Sequence, residues 1–161
     1  MDFVTKTLGI VVAIVFFGFA IQGAAQDKPA DNMQILRDKI KADKKLVVAT
    51  NMELTEPEAK GFWPIYEQYQ KDLQKINLRI VKLLESYADD FHKKSLTDDK
   101  AKKLIDEAVA IEQAEANLKS AYAPKLGKAL PVKKVARYLQ IENKIRAVVK
   151  YEIAEGVPLV P

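Results

Sequence analysis

The chain has 161 residues, with 26 Lys and Arg against 22 Asp and Glu for a net charge of +4, a single His and no Cys. That composition excludes disulfide scaffolds, zinc–thiolate sites and thiol catalysis, and the excess positive charge is spread too thinly for a nucleic-acid footprint. It favours contact with acidic surfaces such as phospholipid, lipopolysaccharide or acidic stretches of unfolded protein.

Residues 1–25 read as a signal peptide: Lys6 precedes an apolar run from Leu8 to Ile21, and Gly23-Ala24-Ala25 places small residues at a cleavage position. Cleavage near Ala25 and a periplasmic location are the expectation. The alternative is an inner-membrane anchor over residues 8–22, although that run falls short of the roughly 20 residues a comfortable span needs. Residues 26–30 form a polar, flexible leader, and the rest has the size of one domain, expected over 31–155 with an extended tail over 156–161.

Asp31 can cap a first helix whose apolar positions Met33, Leu36, Ile40 and Val47 alternate with charges. Its thin stripe places it on the bundle, or on a partner, rather than at the centre. Leu54-Thr55-Glu56-Pro57-Glu58 then opens the main helix: Thr55 and Glu58 have capping-box spacing and Leu54 is placed as a hydrophobic staple. From Phe62 through Tyr66, Tyr69, Leu73, Ile76, Ile80, Leu83 and Tyr87, apolar residues recur at gaps of three and four, which predicts one long helix to about His92. Pro64 inside it predicts a kink.

Leu96-Thr97-Asp98-Asp99-Lys100 marks a second start, with Thr97 as cap, followed by a stripe of Ala101, Leu104, Ala108, Ile111, Leu118 and Tyr122. Pro124 and Gly127 disturb its end. Leu130-Pro131 opens a last helix with proline in its first turn and Val132, Val135, Leu139, Ile145, Val149 and Ile153 on its buried side, and Gly156 stops it. The fold class is therefore all-α, an antiparallel helical hairpin or bundle of about four helices.

Helical projection puts Glu115 inside the third stripe and Glu142 and Arg146 on the buried face of the last helix, with Asn77 facing them from the second. Such a layer either fixes helix register or forms a carboxylate site for a proton or metal. A di-iron bundle wants Glu-x-x-His on two helices, and His92 is the one histidine, at a helix C-terminus that suits a cation. No metal or cofactor is expected. Phe62, Trp63, Tyr66 and Tyr69 cluster around Pro64; rings of this kind are ordinarily core, and Trp63, projecting to the stripe's edge, makes with Phe62 and Tyr66 the candidate partner-binding cluster. Ser86, Ser95 and Ser120 have no triad-like context and no glycine-rich phosphate loop occurs, so the reading is a binding protein rather than an enzyme.

The exported, cysteine-free, helical layout with Leu-Thr-x-x-x helix starts resembles the Spy/CpxP-like family of small periplasmic proteins, known for Leu-Thr-x-x-Gln motifs. Here Glu58 stands in the Gln position of the first motif, Lys100 in that of the second, and Leu130-Pro131-Val132-Lys133-Lys134 lacks the Thr. The resemblance implies a homodimer of helical hairpins that shields unfolded envelope proteins without ATP or tunes an envelope-stress sensor. Two alternatives accompany it: a structural subunit of an envelope assembly, and a periplasmic metal-resistance sensor, whose histidine-rich segments this chain lacks.

Overall fold

The computed structural model describes residues 43–161. The expectations for the signal peptide, the leader, Asp31, Met33, Leu36 and Ile40 lie outside the described residues. Within them the chain is an all-α bundle of four helices: α1 over residues 43–52, α2 Glu56–His92, α3 Asp98–Leu126 and α4 Val132–Gly156.

The helix starts follow local chemistry. Thr55 caps α2 through a capping box in which the Glu58 carboxylate accepts the Thr55 N–H at 2.8 Å. Thr97 caps α3 by accepting from the Lys100 N–H at 3.4 Å. Lys100 cannot reciprocate as Glu58 does; its ammonium instead donates to Asp90 Oδ1 at 2.6 Å and ties the start of α3 to the end of α2. Glu53 and Lys94 take the left-handed conformation that turns the chain out of α1 and α2, at φ 47° and 49°.

Two prolines sit where their missing N–H groups are harmless. α2 continues through Pro64, which is exposed, as is Lys60, whose carbonyl loses a donor and is open to water. α3 likewise runs through the exposed Pro124 to Leu126, with Gly127 as its C-cap. Pro131 is the N-cap of α4 rather than a residue of its first turn. Val132, expected on the buried side, is 81 % exposed, because it is the first helical residue and stands ahead of the seam.

Side-chain bonds give the topology. Gln70 reaches Glu142, Asn77 reaches Arg146 and Tyr87 reaches Pro158, so α2 and α4 run parallel. Asp72–Tyr122, Arg79–Glu107 and Asp90–Lys100 make α3 antiparallel to α2, and Lys45–Glu67 with Lys44–Gln70 make α1 antiparallel to it as well. At the turn between α3 and α4 the backbone passes close to α2: a Cβ on Gly61 would meet that of Ala129 at 3.0 Å, so only glycine leaves this contact relaxed.

The core is unevenly distributed. Of the eighteen buried apolar residues described, thirteen lie from the Asn77–Arg146 level toward the α3–α4 turn, and they include Phe62, Tyr66, Tyr69, Tyr122 and Tyr138. α1 is part of this core rather than an attachment to it, since Val48 and Met52 are fully buried. The thin stripe was misleading because α1 inserts a short edge between α2 and α4.

Candidate functional site

Two features stand out chemically: a polar layer inside the bundle and a loosely covered end beyond it. In the layer, Arg146 of α4 donates through Nη1 to Asn77 Oδ1 of α2 at 2.8 Å and through Nη2 to Glu115 Oε1 of α3. The Glu115 and Arg146 side chains are only 7 % and 13 % exposed. Lys150 adds a second cation, 3.4 Å from Glu115 Oε2 and 3.6 Å from Glu112. One guanidinium thus fixes the axial level of three helices, and burial lowers its pKa from the usual value.

Glu142 is buried as projected but belongs to a separate cluster. Its Oε2 accepts from Lys44 at 2.8 Å and its Oε1 from Gln70 at 2.9 Å, while Gln70 also accepts from Lys44 at 2.8 Å and donates to the Tyr138 hydroxyl at 3.3 Å. Lys44 reads in sequence as one more surface lysine of a weak helix. Its long stem crosses the apolar edge of α1 and brings the ammonium inward, a reach that periodicity does not encode.

Phe62 and Tyr66, proposed from sequence as partner contacts, are buried in the core and cannot meet a partner in this structure. They stack edge-on around Tyr138, with ring centroids 5.1 and 6.1 Å away. Trp63 is half-buried against the same core, and Lys45 of α1 lies 5.2 Å above its ring and pairs with Glu67 at 3.0 Å. The capping residues are structural: Leu54 packs on the core, Leu96 is half-buried, and Glu58 also receives Lys134 at 2.5 Å from α4. His92 ends α2 with its ring 6.0 Å from Phe91.

Asp72 and Tyr122 give the bundle a pH dependence on both sides. Hydrogen bonds from Lys75 and then Tyr122 hold the Asp72 carboxyl down at about 2, from an ordinary 3.8, and burial with the Asp72 bond pushes Tyr122 up to about 12. The depressed acid contributes stability that is complete above its unfolded value and lost as pH falls through its folded value; the raised phenol contributes stability complete below about pH 10 and lost above it. The stability gap between wild type and Asp72→Asn should therefore narrow between about pH 5 and pH 2 in denaturant titrations. A gap unchanged across that range contradicts the assignment.

Beyond the Asn77–Arg146 level the packing changes. Of eight large apolar side chains exposed among the described residues, six lie at this end: Leu78, Ile105, Val109, Tyr151, Leu159 and Val160. Ile105 and Val109, one turn apart on α3, are 63 % and 61 % exposed. A groove of about 310 Å³ follows the α2–α3 seam there, with Leu83 and Leu104 in it. Arg79–Glu107 at 2.8 Å and Lys100–Asp90 at 2.6 Å close its two ends, and Lys82 and Lys103 between them form no ion pair among the described residues.

Among the described residues no group of three or more His, Asp or Glu could hold a metal ion, and no helix is long and apolar enough to cross a membrane. No family model, no curated protein and no solved structure matches this chain.

Proposed function

We propose that this chain is an exported, ATP-independent chaperone-like protein of the Spy/CpxP-like kind, which holds unfolded or partner proteins of the bacterial envelope against its loosely packed end. The observation that carries the reading is the asymmetry of the bundle. One end spends its aromatic residues on a closed core, while the other leaves β-branched side chains on an outer helix face, where they add little to helix stability. Ile105 and Val109, on the side of α3 away from the Leu83–Leu104 groove, offer weak apolar contact, and Lys82 and Lys103 in the groove, which form no ion pair among the described residues, offer attraction for acidic segments. Such contacts hold many sequences briefly rather than one tightly. Turnover chemistry has no part in this reading, and a second copy of the chain is the expected partner in solution.

A photoreactive residue at Val109 in living cells tests the breadth of binding. The chaperone reading expects adducts with many envelope proteins, increasing when those proteins are unfolded. A single dominant adduct, insensitive to unfolding, would instead make the chain a dedicated subunit of one assembly.

A further inference from the structure

The α2–α3 groove carries more positive charge than its own walls balance. Arg79, Lys82, Lys100 and Lys103 line it against only two carboxylates, Asp90 and Glu107. Both carboxylates are already committed: Glu107 accepts from Arg79 Nε and Nη2 at 2.8 and 3.0 Å, and Asp90 accepts from Lys100 at 2.6 Å. Lys82 and Lys103 form no ion pair among the described residues, so the surplus rests on them. The two ion pairs also fix the register of the antiparallel helices, and that register brings Lys82 and Lys103 within about one helical turn of each other along the seam, on opposite banks. Like charges set across a seam repel, and an anion between them removes the repulsion.

The floor gives the occupant its second property. Leu83 and Leu104 lie half-buried in the groove, which spans about 16 Å from Arg79 to Asp90 at the helical rise. Its volume of about 310 Å³ is at the lower end of ligand-sized clefts, room for one chain and not for a two-chain lipid. An inorganic anion would answer the lysines and leave the leucines in water. A peptide would lay polar backbone on the leucines, where Ser86 is the one uncharged polar side chain of the lining and the helix backbones are already paired. The attraction of acidic clients acts through the field of the lysines at a distance and needs no seat in the groove. A hydrocarbon chain with an anionic head meets every condition, since it has no backbone to satisfy and covers the apolar floor.

We propose that the groove binds one single-chain anionic amphiphile, of the fatty-acid type, with its head between Lys82 and Lys103 and its chain along Leu83 and Leu104. This ligand is separate from the client proteins proposed above: Ile105 and Val109 lie on the other side of α3, so the two do not share a surface.

Calorimetric titration of the full-length chain with monomeric dodecanoate tests this, read beside methyl NMR of its leucine, isoleucine and valine side chains. The expected result is saturable binding with the largest shifts at Leu83 and Leu104, and about tenfold weaker binding of dodecyltrimethylammonium, which has the same chain under a cationic head. Lys82→Gln/Lys103→Gln, at two exposed positions, should weaken dodecanoate binding about tenfold while keeping the helical circular dichroism and Tm. Ile105→Asp/Val109→Asp should leave it unchanged. Equal binding of the two head groups, or shifts centred on Ile105 and Val109, would mean apolar adsorption only and would overturn the proposal. An acidic peptide that displaces dodecanoate and binds more tightly would overturn it by giving the groove to client chains. Binding to phosphatidylglycerol vesicles without binding of monomeric dodecanoate would also overturn it, by making the lysines a membrane contact.

Discussion

Tyr138→Ala should lower unfolding stability by about 3–5 kcal/mol, the range for emptying a fully buried aromatic position. Tyr138 is 0 % exposed and its ring meets Phe62, Tyr66 and Tyr69 edge-on, at centroid distances of 5.1, 6.1 and 5.8 Å. Removing it leaves three rings without a common partner and a cavity that helices pinned at both turns cannot close. Tyr138→Phe should cost much less, about 1 kcal/mol, because among the described residues its hydroxyl makes only the 3.3 Å bond from Gln70. Denaturant titration of the two variants separates the terms. Equal losses would show that the hydroxyl, rather than the ring cluster, holds this end together.

Arg146→Met should cost about 3 kcal/mol or more, since it strands Glu115 and Asn77 at a buried level. Lys150, 3.4 Å from Glu115, softens the loss and places it near the lower end of the usual range. Pairing the change with Glu115→Leu should recover much of it, because two apolar side chains of similar volume leave no buried charge. A double-mutant cycle reads the coupling directly. Additive losses would mean that the two groups do not share one interaction, and the three-helix layer would lose its physical basis.

Helix boundaries were legible because punctuation and periodicity agree: Thr55 and Thr97 both cap, and α2 ends at His92. The Asn77, Glu115 and Arg146 positions were legible for a similar reason, since a polar residue interrupting an apolar stripe projects inward wherever the stripe does. Glu142 projects inward too, but its partner Lys44 comes from a helix whose pattern looked peripheral, so the sequence could not separate one layer into two clusters. Trp63 illustrates the same limit. Its place at the edge of the stripe was correct for α2 alone, and α1 then covered it with Lys45. The open end was least legible, because Ile105 and Val109 look like ordinary helix positions until their neighbours are known.

Light scattering of a denatured test protein, at a near-stoichiometric ratio and without nucleotide, tests most directly whether the open end holds non-native chains. Wild type should slow aggregation of several unrelated clients. Ile105→Asp/Val109→Asp, both at solvent-exposed positions, should lose most of that protection while keeping its helical circular dichroism and Tm. No protection by wild type across the clients, or full protection by the double variant, would contradict the account.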